Sequence, residues 1–213
     1  MGEPTLSALT VLTKLEHLRL PSCTAGVLSS LEDYAAVIAS QHLTYLDIMR
    51  FAGPAQAYNI FPADRRLPSL QSLKLDVLWL EDAEVTYRVI ICCPGLQKLE
   101  VFSGGEHDIA DVASGRWAAS LKSLTGLSHL TSLHMLTIDV TMSREVYKAI
   151  ASLTGLRELC LEALVASELW AAVQLTACQQ LTHLQFGVSV ADSEGDLSVY
   201  ATNKVRRVLW CEQ

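Results

Sequence analysis

Basic charge is scarce in this sequence, and charged residues of both signs are few. Of the 213 residues, 16 are Lys or Arg and 23 are Asp or Glu, so the formal net charge is −7. Proteins that bind nucleic acids or anionic membranes rely on clusters of Lys and Arg, whereas a modest acidic balance mainly serves solubility. The composition therefore predicts no nucleic-acid partner and no membrane partner.

Segments that would direct the chain into or across a membrane are also missing. No run of about 18 apolar residues occurs, so no membrane-spanning helix is predicted, and residues 1–10 lack the basic stretch and apolar run of a secretion signal. Six cysteines occur without the spacing of a disulfide framework. We therefore expect six free thiols and a cytoplasmic protein, with a nuclear, cytoskeletal or ciliary location as alternatives.

Motifs that carry catalysis are absent as well. The sequence has no glycine-rich phosphate-binding loop and no nucleophile elbow. One polar cluster, "GGEHD", contains Glu106, His107 and Asp108, but three consecutive side chains do not converge easily on one metal ion. The sequence therefore predicts a protein without catalysis, metal or cofactor.

What the sequence does contain is one short phrase, L-x-x-L-x-L, written many times. Most copies begin 23–28 residues after the copy before them. A period of this length is typical of stacked strand-and-helix units, because a single unit cannot bury its own leucines. The copies begin at Leu15, Leu43, Leu70, Leu96, Leu133, Leu156 and Leu181, with a weaker copy at Val205.

Segments between the phrases show the spacing of helices that bury one face. In "EVTYRVIICCPG", Pro94 is expected to end a helix near Cys92 or Cys93. Ser29 with Glu32, and Ser167, are candidate N-terminal caps. The predicted buried helical positions are Leu31, Tyr34, Ala35 and Ile38, then Val146, Ala149, Ile150 and Leu153, then Leu169, Ala172 and Val173.

The interval between the copies at Leu96 and Leu133 is the longest, at 37 residues. We interpret 104–127 as a repeat lengthened by an insertion of about ten residues. Long loops on a rigid scaffold are often binding sites, although a tolerated surface insertion explains the length equally simply.

These phrases resemble those of the leucine-rich repeat superfamily, over roughly residues 6–210. Cys93 and Cys178 stand three residues before a phrase, as cysteines do in the cysteine-containing repeats of F-box type proteins. The asparagine ladder of many family members is absent. The resemblance implies an α/β solenoid of about seven to eight repeats over residues 1–213, with a curved parallel sheet on the concave face and helices on the convex face.

The two ends of the array carry no polar capping unit that the sequence identifies. The phrase pattern begins near "LSALTVLTKL" and ends with "VRRVLWCEQ". Repeat arrays need such caps because their terminal units otherwise expose core side chains and strand edges. We therefore expect an uncapped array that self-associates or forms part of a longer array.

Alternation along each phrase predicts which side chains face solvent on the concave side. Aromatic residues beside charged ones suit a protein-binding surface, although an ordinary solvated sheet face has the same composition. Asp139, Glu158 and Glu162 are expected on adjacent strands, where they form an acidic patch for a basic segment of a partner or serve only solubility. The candidate binding residues are Arg19, Tyr45, Asp47, Lys74, Lys98, Glu100, Phe102, Asp139, Glu158, Glu162 and Gln185.

The resemblance also indicates what kind of function to expect. Leucine-rich repeat arrays bind other proteins on the concave strand face, and the F-box type is a substrate-recognition module of ubiquitin ligases. The alternative is a structural or scaffold subunit of a cytoskeletal or ciliary assembly. Both expectations describe a non-catalytic interaction protein, and the fold by itself does not choose between them.

Overall fold

The structure is a computed structural model that describes residues 12–20, 40–48, 60–62, 64–76, 83–102, 114–136, 143–164, 173–189 and 200–205. Within these ranges eight strands form one sheet, in which each strand pairs with its neighbour along the chain. The strands are β1 His17–Arg19, β2 Tyr45–Asp47, β3 Ser72–Asp76, β4 Lys98–Phe102, β5 Ser132–Leu136, β6 Glu158–Leu164, β7 His183–Ser189 and β8 Tyr200–Val205. The helices are α1 Ala83–Cys92, α2 Ser114–Ser123 and α3 Arg144–Ala151, and a 3-10 turn, Leu124–Gly126, follows α2.

Strands β1 to β7 are all parallel. The chain is therefore of the α/β class, as the sequence predicts. The eighth strand differs, because β8 runs antiparallel to β7. The expectation of one wholly parallel sheet is wrong at this point. The weak eighth phrase begins at the last residue of β8, Val205, and otherwise lies outside the described residues.

The end of the parallel stack is also affected by this arrangement. Residues of β8 from Tyr200 to Val205 pair with β7 from Ser189 back to Leu184. The far edge of β7 is therefore covered by backbone hydrogen bonds, which the sequence pattern did not predict. Self-association through uncapped ends stays a prediction. At this end of the described sheet, the prediction applies to the outer edge of β8 rather than to the edge of β7.

One row of leucines explains why the strands align. The second leucine of each phrase pairs in register with its equivalent in the next strand. All members of the row are buried, and each fully buried leucine contributes on the order of 2 kcal/mol relative to an exposed one. The row consists of Leu18, Leu46, Leu73, Leu99, Leu133, Leu159 and Leu184.

The turn before each strand is closed by a repeated set of backbone hydrogen bonds. In the described phrases other than the one at Leu43, the amide of the first phrase leucine donates to the carbonyl three residues earlier, as from Leu96 to Cys93 at 3.1 Å and from Leu156 to Leu153 at 3.0 Å. The next two amides then donate to one carbonyl of the preceding strand's turn. Thr131 and Ser132, for example, both donate to Gln97. This pattern marks the start of each phrase independently of the leucine spacing.

The fifth phrase begins at Leu130, not at Leu133 as the spacing suggested. Leu133 pairs with Leu99 and is therefore the second leucine of its phrase. The interval after Leu96 is 34 residues and the next interval is 26. Leucines recur every three residues from Leu121 to Leu136, so the apolar pattern alone permits several registers. As one consequence, Met135 is buried, whereas a phrase beginning at Leu133 predicts that it faces solvent on the concave side.

Two predicted helices fall among the described residues, and both form. Helix α1 ends at Cys92, two residues before Pro94, as expected. Helix α3 begins after Ser143, whose side chain accepts a hydrogen bond from the Val146 amide. Its predicted apolar face, including Val146 and Ile150, is buried in the same core as the leucine row.

The third predicted helical face is partly wrong. Residues 173–177 form a 3-10 segment, in which Val173 is 52% exposed while Leu175 is buried. A 3-10 segment has three residues per turn, so the buried position shifts relative to an α-helix. Residues 104–113 of the lengthened 104–127 repeat lie outside the described residues, whereas 114–127 form α2, the 3-10 turn and Leu127. Also outside the described residues are Leu31, Tyr34, Ala35, Ile38, Leu169, Ala172 and the proposed caps Ser29 and Ser167.

Replacing Ser120 with alanine is expected to stabilise the protein. Ser120 is fully buried in α2, and among the described residues its hydroxyl has no hydrogen-bond partner. Alanine removes that desolvated hydroxyl and has the higher helix propensity, so we expect a gain of about 0.5–1.5 kcal/mol in the free energy of unfolding. Urea unfolding of Ser120→Ala measures it. Ser123→Ala, whose exposed hydroxyl bonds to the Ala119 carbonyl, is the control, and a loss of stability in Ser120→Ala would contradict the prediction.

Candidate functional site

The candidate site is the face of the sheet on the side away from the leucine row. Strand side chains alternate between the two sides, and in β4, for example, Leu99 and Val101 are buried while Lys98, Glu100 and Phe102 are at least partly exposed. The strand register sets these outward residues side by side. One row across the sheet, which we call the polar row, consists of Arg19, Asp47, Lys74, Glu100, His134, Cys160 and Gln185.

At the β1–β2 end of this face, four side chains form one group. Arg19 Nε lies 3.2 Å from Asp47 Oδ2, and the Tyr45 hydroxyl donates a hydrogen bond to Asp47. The His17 ring stacks on the Tyr45 ring with 5.7 Å between centroids. The carboxylate of Asp47 is buried, with 4% of its side chain exposed, whereas the side chain of Arg19 is 77% exposed. A buried carboxylate needs such partners, because burying a charge without them is costly.

The second group lies on β3, β4 and β5. Glu100 Oε1 accepts from Lys98 Nζ at 2.5 Å, and Glu100 Oε2 lies 3.4 Å from Lys74 Nζ. Lys74 Nζ also stands 4.1 Å from the centre of the Phe102 ring, which is a cation–π contact. Phe102 in turn meets His134 edge-on at 5.5 Å. Five side chains from three strands therefore hold one another in place.

The electrostatic balance at Glu100 favours the ionised form. Burial alone raises the pKa of Glu100, but the hydrogen bonds and positive charges of Lys98 and Lys74 outweigh it, so the pKa is lowered. At Tyr45 the balance has the opposite sign. Burial comes first, followed by the negative charges of Asp47 and Glu100, and together they raise the pKa of the phenol. Both shifts result from cross-strand proximity and burial on this face.

Seven of the predicted site residues are brought together by these two groups. They are Arg19, Tyr45, Asp47, Lys74, Lys98, Glu100 and Phe102. Gln185 belongs to the same polar row but lies on β7, beyond Cys160. His134 is a member that the sequence reasoning missed. The wrong register of the fifth phrase assigned it to the wrong position, and the preceding Leu133 aligned with Leu99 is the signal that identifies it.

The predicted acidic patch was derived from a fifth phrase beginning at Leu133. Ser132 pairs with Glu158 and Leu136 with Glu162, so Leu136, and not Asp139, stands opposite Glu162. Asp139 itself lies outside the described residues. Glu158 is exposed on β6, and Glu162 lies four residues further along the same strand.

Cysteine chemistry on this chain is constrained by burial. Cys92, Cys93, Cys160 and Cys178 are free thiols, while Cys23 and Cys211 lie outside the described residues. Burial raises the pKa of the Cys92 thiol to about 11, and burial also raises the pKa of Cys93 and Cys178. The thiolate is the reactive form, so these three positions disfavour nucleophilic chemistry.

Among the described residues no cluster of three or more His, Cys, Asp and Glu is placed to hold a metal ion.

Among the helices that the structure describes, no helix has both the length and the apolar character that a membrane crossing requires.

Replacing Asp47 with asparagine is expected to lower the pKa of Tyr45. The negative charge of Asp47 and its hydrogen bond both raise that pKa, and asparagine removes the charge while keeping an oxygen acceptor. Tyrosinate absorbance, followed through an alkaline titration and corrected with Tyr45→Phe for the five other tyrosines, measures the change. An unchanged Tyr45 titration in Asp47→Asn would show that the two side chains do not interact in solution.

Comparison with known proteins found no matching family model and no matching curated sequence. The feature of the chain that bears on function is the strand face, on which charged and aromatic side chains contact one another.

Proposed function

We propose that this protein is a leucine-rich repeat solenoid that binds another protein on its exposed strand face, without catalysis and without a cofactor. The observation that carries the proposal is the two groups of mutually contacting side chains on that face, one at β1 and β2 and the other on β3 to β5. Aromatic residues and arginine are enriched where proteins bind proteins. Here they are held by ion pairs and ring contacts on strands rather than on loops, which limits the entropy lost on binding.

The solenoid interpretation is supported by the repetition of backbone geometry. Each phrase from Leu43 onwards is joined to the preceding one by the same pair of amide hydrogen bonds. Threonines at the first position after the phrase leucine add a side-chain bond, as from Thr44 to Glu16 at 3.1 Å and from Thr182 to Arg157 at 3.1 Å. Units that contact their neighbours in the same way are the basis of repeat architectures.

The absence of catalysis is argued from chemistry. Reactive cysteines have lowered pKa values, whereas burial raises the pKa of Cys92, Cys93 and Cys178. The charged groups of the strand face are engaged in ion pairs with one another, such as Lys98 with Glu100. A surface of this kind is suited to recognition.

Two biological roles fit this proposal, and they differ in the kind of partner protein that is bound. Substrate recognition in a ubiquitin ligase is the first and follows from the resemblance to F-box type repeats. A scaffold subunit of a cytoskeletal or ciliary assembly is the second. Either role places the protein in the cytoplasm or a compartment continuous with it. A basic segment binding at Glu158 and Glu162 remains a proposal for the C-terminal half of the face.

Partner capture with matched aromatic variants tests the proposed surface. Phe102→Ala removes a ring from the centre of the strand face, while Tyr87→Ala removes an exposed ring from α1. Proteins captured on the tagged chain are identified by mass spectrometry and their affinities measured with purified components. We expect Phe102→Ala to weaken a captured partner roughly tenfold, as for a central interface residue, and Tyr87→Ala to leave it unchanged. Equal affinities for wild type and Phe102→Ala would remove the strand face from the proposal.

A further inference from the structure

The charges on strands β1 to β4 differ in how far they reach into solvent. Arg19 is 77% exposed and Lys98 is 48% exposed, whereas Asp47 and Glu100 are 4% and 13% exposed. Each carboxylate pairs with a base that lies further out, at 3.2 Å for Asp47 with Arg19 and 2.5 Å for Glu100 with Lys98. A ligand approaching this face meets the guanidinium and the ammonium group before it meets either carboxylate.

The greater exposure of the bases does not reflect a larger number of bases than acids. The four strands contain three bases, Arg19, Lys74 and Lys98, and three acids, Asp47, Asp76 and Glu100. What distinguishes them is the depth of the two carboxylates in the polar row. Arg and Lys keep their charged ends in water while their apolar stems cover the surface. In the pairs Arg19 with Asp47 and Lys98 with Glu100, the base is therefore the charge that a ligand reaches first.

We infer that β1 to β4 bind an acidic segment of a partner protein, laid across the strands with one carboxylate at Arg19 and another at Lys98. This inference rests on the proposed function and names the chemistry of the partner. Arg19 and Lys98 lie on strands three spacings apart, roughly 15 Å at about 4.8 Å per spacing with a two-residue offset. An extended peptide covers that distance in about four or five residues at roughly 3.3 Å each.

Phe102 and Tyr45 supply the apolar part of the site. The Phe102 ring carries Lys74 on its face and His134 at its edge, and the Tyr45 ring is stacked with His17. Between the two acidic positions, a partner side chain meets these rings. The combination favours a peptide over other polyanions, because nucleic acids and anionic membranes need more clustered cations.

Selection from a library of random peptides, each long enough to cross four strands, tests the inference. Peptides selected on the wild-type protein are expected to carry two Asp or Glu residues four or five positions apart. Synthetic copies should lose roughly tenfold in affinity towards Arg19→Gln/Lys98→Gln and bind less tightly at high salt. The control, Lys122→Gln/Lys148→Gln, removes two exposed cations from α2 and α3 and should bind as wild type does.

Three results would overturn the inference, and they separate it from the proposed function. Neutral or basic peptides whose binding depends on Phe102 would leave the proposed function standing and reject the acidic partner. Oligothymidine or phosphatidylserine vesicles that bind more tightly than the acidic peptides, with the same loss in Arg19→Gln/Lys98→Gln, would reassign the cations to another ligand. If no selected peptide is sensitive to Phe102→Ala, the proposed function and the inference fail together.

Discussion

Leu99→Ala is expected to lower the free energy of unfolding by about 2–5 kcal/mol, the range for large-to-small changes at fully buried leucines. Leu99 is the second residue of β4 and is completely buried, with Leu73 and Leu133 on either side in the leucine row. Alanine removes three carbon atoms from a site that two flanking strands hold open. The neighbouring backbones are tied by ladder hydrogen bonds, so the cavity cannot collapse fully.

Leu12→Ala is the matched control for this prediction. Leu12 is 44% exposed, and its contribution to the turn before β1 is its backbone carbonyl, which accepts from Leu15 at 3.0 Å. The same chemical change should therefore cost below about 1 kcal/mol there. Urea unfolding followed by far-ultraviolet circular dichroism compares the two variants. Similar losses in both would mean that the leucine row is not the core of the folded protein.

Glu100→Gln is expected to lower the free energy of unfolding by about 1–2 kcal/mol at neutral pH. The carboxylate holds Lys98 at 2.5 Å and Lys74 at 3.4 Å, and the amide leaves both ammonium groups close together without a countercharge. Lys98 is nearly half exposed, so water screens part of the loss. Glu158→Gln, which changes an exposed carboxylate on the same face, should have the smaller effect.

The pH dependence of this difference has a definite sign. Glu100 has a lowered pKa in the folded protein, so its stabilising contribution is complete above the pKa of the unfolded chain. That contribution is lost as the pH falls through the lowered folded value, where both states bind the proton. The stability gap between wild type and Glu100→Gln should therefore be constant near neutral pH and shrink in acid. A gap that widens as the pH falls would contradict the ion-pair geometry.

Much of the strand arrangement can be predicted from the leucine spacing. The phrases at Leu70 and Leu96 form parallel strands because their leucines have no other way to leave water than to stack on those of the next unit. The end of α1 at Cys92 and the start of α3 after Ser143 were also predictable. Proline after one helix and a serine cap before the other act locally, within a few residues.

The fifth phrase shows where spacing is insufficient. A leucine every three residues from Leu121 to Leu136 satisfies more than one register equally well. The choice is made by the amides of Thr131 and Ser132, which both bond to the carbonyl of Gln97 on the preceding strand's turn. That partner is 34 residues away along the chain, so no local pattern contains the information.

The sequence by itself determined the strand period, the buried leucines of β1 to β4, β6 and β7, and most of the residues on the outward face, because alternation and burial are properties of the phrase. Only the tertiary structure decided that β8 covers β7 in the antiparallel direction, that His134 joins the site, and that Arg19 and Lys98 lie outside Asp47 and Glu100. These outcomes depend on which side chains become neighbours across strands. Distance and burial then set the sign of the exposed charge, since a carboxylate enters a low-dielectric position only beside a base that compensates it.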